Sequence, residues 1–267
     1  MVKTSIAVPR PSPLCSDAGI LLCICTGEKG GVGKSTVAGI LATEACARGA
    51  ALVAVDGDVE TPDFFNRFSN IDGVVAGKLD LTGDSRAALT RLGNWLEDWG
   101  ASTNQAGVVI INTPASSEQI FGKFADLIGD FSVALGADLA ISYSVGPGVE
   151  AVHAVERSVE GGLLSLHSAR RLIVYGEHLG DSRAWPLRSS PVLARATGAG
   201  VETAALEALP EPVMARLRAL RGPYSLAADR EGGLKIIERS WVVRWLAGCR
   251  PISKFVLGPP MEQLNDE

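Results

Sequence analysis

The stretch Glu28-Lys29-Gly30-Gly31-Val32-Gly33-Lys34-Ser35-Thr36 gathers the residue types that hold phosphate. Glycines let the backbone curl so that successive N–H groups converge on oxygen anions where a helix begins. A lysine behind them reaches terminal phosphates, and the hydroxyl after it serves Mg²⁺. The spacing fits G-x-x-x-x-G-K-[ST], except that Glu28 stands where the first glycine belongs. Gly30, Gly31, Val32, Gly33, Lys34, Ser35 and Thr36 are therefore the candidate nucleotide-phosphate residues, with Lys34 on the terminal phosphates and Ser35 on the metal. A bare glycine turn before Lys-Ser would match the same letters, so the flanking elements must decide.

They supply the right context. Ile20 to Thr26 is a continuous β-rich apolar run, Gly27 to Gly33 the loop, Lys34 to Arg48 a helical pattern stopped by Gly49, and Ala51 to Val55 a second buried strand ending at Asp56. A strand, loop, helix and strand in so short a span make a βαβ unit, which demands a parallel sheet and a right-handed crossover. The alternation continues. A helix is expected over Ser85 to Trp99 with Asp84 as its cap, then a central strand over Gly107 to Ile111. Ser117 to Leu135 carries an apolar stripe at helical spacing, Leu139 to Ser144 reads as a strand, and Val149 to Val159 as a helix. Leu172 to Tyr175 and Thr203 to Leu209 read as strands, Gly180 to Gly200 as a loop with a short helix, and Gly232 to Gly248 as a terminal helix. The expected fold is α/β: a doubly wound, mostly parallel sheet with helices on both faces. It forms one domain over residues 19–258, between an N-terminal tail, 1–18, and an acidic C-terminal tail, 259–267.

A lysine directly before Gly30-Gly31 marks the deviant phosphate loop K-G-G-x-G-K-[ST], and here the chain resembles the ParA/MinD family of ATPases. The resemblance implies ATP with Mg²⁺, and for Lys29 a contact across a homodimer with the partner's nucleotide; a lysine paired with Glu28 on the loop surface is the alternative. Asp56-Gly57-Asp58 stands in the place of the family's D-x-D. By resemblance Asp56 holds a Mg²⁺-bound water and Asp58 orients the attacking water. Two carboxylates at a strand's C-terminal end do face the ligand crevice of an open α/β sheet, although Asp-Gly-Asp is also a common turn. The family's third strand ends in Asp-x-Pro, whereas this chain has Asn112-Thr113-Pro114. Asn112 can accept from a Mg²⁺-bound water but lacks the charge that favours the metal. Weaker Mg²⁺ binding or slower hydrolysis than with Asp is expected. The specific likeness runs from about Ile20 to Ser117. ATP over GTP rests on the likeness alone.

Composition narrows the rest. The 267 residues carry 25 Lys+Arg against 30 Asp+Glu, a net charge of −5. No apolar run approaches the roughly 18 residues a membrane span needs, and Pro9, Pro11 and Pro13 interrupt the place of a secretory leader. The expected compartment is the cytoplasm. Cys15, Cys23, Cys25, Cys46 and Cys249 have no metal-like spacing and read as reduced thiols, with Cys23 and Cys25 on one face of a strand. That spacing also speaks against an iron–sulfur carrier. His153, His167 and His178 read as isolated structural or exposed residues. The proline-broken acidic end offers no amphipathic membrane helix, and the Trp241/Trp245 stretch reads as a core helix.

Charge is uneven. Residues 188–254 hold 11 basic and 6 acidic side chains, a net of +5, so the remainder carries −10. Nonspecific DNA contact through this window and solvated helix faces both remain open. Asp58 to Phe65, with Pro-Ala-Ser after the third strand, is similar to the smaller ParA-like proteins of conjugative and mobilisable elements, the TraL/MobD type. The expected function is an ATP-dependent dimerising switch ATPase, slow and partner-stimulated, in plasmid or mobile-element partition, positioning or conjugal transfer, with an activator or cargo protein as partner. A nucleotide-binding scaffold with little turnover, and an ATP-dependent ligase or synthetase on the same fold, are the alternatives.

Overall fold

The computed structural model describes residues 19–103, 107–115 and 121–258. Both expected tails, and the first residues of the expected Ser117 helix, lie outside them. Seven strands form one sheet: β1 Ile20–Gly27, β2 Leu52–Asp56, β3 Val74–Lys78, β4 Gly107–Asn112, β5 Ala137–Val145, β6 Arg170–Gly176 and β7 Glu202–Leu206. Their order is β3-β2-β4-β1-β5-β6-β7. Every pairing is parallel. The described helices are α1 Lys34–Ala47, α2 Asp63–Phe68, α3 Ser85–Thr103, α4 Ala125–Ala134, α5 Val149–Gly161, α6 Pro191–Gly198, α7 Glu211–Ala219, α8 Tyr224–Ala228, α9 Ile236–Gly248 and α10 Arg250–Leu257.

The two-residue alternation of a strand divides the core. Leu22 and Ile24 of β1 turn to one face, where they meet Leu92 and Leu96 of α3, Ile128 of α4 and Val155 of α5. Cys23 and Cys25 turn to the other, against Val37 and Leu41 of α1, Phe64 of α2, Trp245 of α9 and Ile252 of α10. The sheet is doubly wound as expected, and wholly parallel. β2 follows β1 on one side of it and β5 follows β4 across β1, so the C-terminal ends of β1 and β5 border the crevice where such folds bind ligands.

Several elements were not anticipated: α2 and β3, and the helices α7, α8 and α10. α2 is only six residues long and β3 only five, with a half-exposed edge pattern that mimics a loop. The expected terminal helix is α9, which begins at Ile236 and is closed by Cys249, and a further helix, α10, follows it with Pro251 in its first turn. Trp245 is core as expected, but Trp241 on the same helix is not.

Candidate functional site

The loop after β1 runs straight into α1, and the start of that helix is left open. Gly33 is its N-cap, at φ 104°, with no side chain capping it and no acidic residue in the first turn. A side chain at that φ would be strained, and a Cβ there would lie 2.6 Å from Leu206 Cδ2. The first N–H groups of a helix lack intrahelical partners and carry its positive dipole end. Neither a side-chain cap nor an acidic residue of the first turn meets them.

Lys34 is buried at the same point, and its Nζ donates to the Lys29 carbonyl oxygen at 2.8 Å. The ammonium thus closes the loop over its own backbone. Burial pulls the Lys34 pKa down, and the charge of Asp58 opposes that pull. Asp58 therefore lies within electrostatic reach of Lys34. It is itself fastened to Thr61, accepting from the backbone N–H at 3.1 Å and from Oγ1 at 2.9 Å.

Asp56 is fully buried at the end of β2. Its Oδ1 accepts from Asn112 Nδ2 at 2.9 Å and from the Asp58 N–H at 3.2 Å, and its Oδ2 from the N–H groups of Phe64 and Phe65 at 2.9 and 3.1 Å. Its carboxylate thus serves the N-terminus of α2, and all four lone-pair positions are taken. Burial raises its pKa, and those hydrogen bonds work against the rise. Asn112 turns its amide nitrogen to Asp56, and its Oδ1 is buried with no hydrogen-bond partner.

A Mg²⁺ ion asks for hard oxygen donors and keeps much of its water. Ser35 Oγ makes no hydrogen bond to another described residue, and Asn112 Oδ1 is an orphaned acceptor. These two fit such an ion. Asp56 brings negative charge to the site rather than a vacant lone pair. Thr36 sits half-buried in the first turn of α1, and Gly30 and Gly31 face solvent.

The residue that breaks the glycine pattern has a job of its own. The Glu28 side chain is only 2% exposed, and its Oε1 accepts from the Gly146 N–H at 3.0 Å, tying the loop to the turn after β5. Oε1 also lies 3.5 Å from Lys29 Nζ, whose side chain is 47% exposed. In the single chain Lys29 is thus paired with its neighbour. Burial raises the Glu28 pKa, despite the Gly146 N–H and Lys29.

His178, read from sequence as isolated, is not. Its Nε2 lies 2.8 Å from the Gly31 carbonyl oxygen. It follows β6, two strands from β1, and only the strand order brings it there. No spacing rule could have found it. Cys23, Cys25 and Cys249 are buried and Cys46 partly so, all as free thiols. Among the described residues no group of His, Cys, Asp or Glu is placed to hold a metal by itself, and no helix is long and apolar enough to cross a membrane.

The basic window is partly spent within the chain. Arg195 pairs with Glu156 at 2.6 Å, Arg216 with Glu238 at 2.8 Å and Arg218 with Glu211 at 3.3 Å, while Arg188 stacks on Tyr175. The other seven basic residues of 188–254 make no ion pair among the described residues.

No family model matches the chain, and no curated protein is similar to it. Solved structures are. A ParA family ATPase from Chlorobium tepidum TLS is 14% identical with a TM-score of 0.48, over 84% of this chain and 98% of its own. The cell division ATPase MinD of Pyrococcus furiosus is 15% identical with a TM-score of 0.47, over 87% and 99%. The septum site-determining protein MinD of Pyrococcus horikoshii OT3, complexed with Mg-ADP, is 16% identical with a TM-score of 0.46, over 86% and 98%.

Proposed function

We propose that this chain is a nucleotide switch that binds ATP with Mg²⁺, dimerises, and resets by slow hydrolysis. The observation that carries the reading is the uncapped start of α1 beneath a glycine loop, with the buried Lys34 ammonium held 2.8 Å from that loop's own carbonyl. Such a site is built for a phosphate chain. The backbone N–H groups of residues 30–36 hold the phosphates, and Lys34 exchanges the Lys29 carbonyl for a terminal phosphate oxygen. Mg²⁺ would sit on Ser35 Oγ, with Asn112 Oδ1 and the charge of Asp56 toward its water shell; bound there, it neutralises charge on the phosphate oxygens.

Asp58 positions the attacking water once it lets go of Thr61. Lys29 leaves Glu28 and meets the partner's nucleotide. The 47% exposure of the Lys29 side chain and its 3.5 Å distance from Glu28 Oε1 support this. The chain then acts in plasmid or mobile-element partition, positioning or transfer through an activator or cargo protein, with the unpaired basic residues of 188–254 other than Arg239 and Arg244 available to DNA.

Titration of the purified chain with ATP and Mg²⁺, followed by light scattering, tests this. Micromolar binding and a doubling of mass, the latter lost in Lys29→Ala, are expected. Absence of binding overturns the nucleotide site, and binding without a change of mass overturns the switch. Asn112 favours a second reading, a nucleotide-binding scaffold with almost no turnover, because its amide donor is already aimed at Asp56. Single-turnover measurement of bound ATP separates the two.

A further inference from the structure

Helix α9 leaves large apolar side chains in water: Ile236 is 76% exposed, Ile237 65%, Val243 54% and Trp241 44%. Its other side, through Val242 and Trp245, is already in the core. A surface helix normally turns polar residues outward, so a helix apolar on both sides is completed by something else. The outward residues Ile236, Ser240, Val243 and Ala247 follow a four-three-four spacing, alternately large and small. That is the seam of a helix that receives another helix, knobs into holes. Arg239 and Arg244 flank the seam on its two sides, and neither side chain has an ion pair or hydrogen bond to another described residue. The single acidic residue of α9, Glu238, lies on the inner side and is held by Arg216 and the Lys235 N–H.

We propose that this face docks an acidic, amphipathic helix of a partner protein, with apolar residues in the seam and carboxylates against Arg239 and Arg244. The proposal does not depend on the nucleotide reading. A second copy of the chain is disfavoured, because its arginines would face these two with like charge. A lipid surface is disfavoured by the place of Arg244, which splits the apolar arc between Ile237 and Trp241 on one side and Ile236 and Val243 on the other. Inserting that arc would carry the guanidinium below the headgroups, whereas an opposing carboxylate pairs with it. Duplex DNA would use the arginines but none of the isoleucines.

The full chain is titrated with three labelled helical peptides of the same heptad pattern, carrying Glu, Gln or Lys at the flanking positions. Anionic phospholipid vesicles and a short DNA duplex are titrated in parallel. The Glu peptide is expected to bind at least about tenfold more tightly than the Lys peptide, about 1.4 kcal/mol, and the order to reverse in Arg239→Glu/Arg244→Glu. Ile236→Ser/Val243→Ser should lose all three peptides while keeping the wild-type melting temperature. Equal affinity for the peptides, no binding of any, or no reversal in the charge-swapped variant overturns the proposal. So does capture by vesicles or duplex that the charge swap abolishes while the Glu peptide stays unbound.

Discussion

Asp56 and Asn112 face each other across β2 and β4, and the Asn112 amide donates to the Asp56 carboxylate at 2.9 Å inside the sheet's C-terminal edge. The amide donor holds the buried carboxylate together with the N–H groups of Asp58, Phe64 and Phe65. Asn112→Asp removes a hydrogen bond to a charged group, worth about 1.5–3 kcal/mol, and sets two carboxylates side by side. The variant is expected to melt several degrees lower than wild type without ligand at neutral pH. It should recover more than wild type on adding Mg²⁺ and ATP, because the second charge raises the value of the cation. Thermal melts with and without Mg²⁺-ATP check this; equal shifts in the two proteins would sink it.

Much of this site could be read from the chain, and the reason is local. The glycine loop, the first turn of α1 and the strand ends at Asp56 and Asn112 are each set by residues adjacent in sequence, so turn chemistry and periodicity locate them. What escaped notice depends on distant partners. His178 reaches Gly31 only because β6 lies near β1 in the sheet. The bonds from the Phe64 and Phe65 N–H groups to Asp56 require α2, whose six residues are too few to show a period. Pro62 followed by Asp63 was the one local sign of that helix start. α9 misled for the opposite reason: its sequence is apolar on both sides, and pattern alone does not say that only one side meets the core.

Lys34 should separate binding from stability. Its ammonium is desolvated in the free chain, with its pKa pulled down by burial, and its one hydrogen bond among the described residues is to the Lys29 carbonyl. Removing it therefore costs the empty fold little. A preorganised charged donor to phosphate contributes about 3 kcal/mol, so Lys34→Ala is expected to bind ATP roughly 100-fold more weakly with a nearly unchanged melting temperature. Calorimetric titration and melts on the same sample read both; a large fall in melting temperature would assign Lys34 a structural role.

Glu28 gives a pH dependence with a definite sign. Its buried carboxyl titrates above the ordinary 4.5, so the folded chain keeps a proton that the unfolded chain has lost. That contribution to stability is complete below the ordinary value and is lost as pH rises through the raised one. Glu28→Gln keeps an acceptor for the Gly146 N–H and removes the titration. It is expected to flatten the stability curve across this window and to melt higher than wild type above it, by about 2–4 °C for each 1 kcal/mol recovered. Melting temperatures measured from pH 4 to 8 test the prediction, and a wild-type slope retained in the variant would refute it.

The thiols should divide by depth. Burial pushes Cys23 and Cys249 up to about 12, and Cys25 well above its ordinary value, so at pH 8 only about one in ten thousand of the Cys23 or Cys249 thiols is ionised. The thiolate is the reactive form, and the two β1 thiols also lie beneath α1. Iodoacetamide at pH 8 is therefore expected to leave Cys23, Cys25 and Cys249 unmodified in the folded chain and to modify all three in urea. Cys46, only partly buried and less shifted, should react first of the four. Peptide mapping by mass spectrometry reads the order, and modification of Cys23 or Cys25 ahead of Cys46 without denaturant would show that the face of the sheet under α1 opens on that timescale.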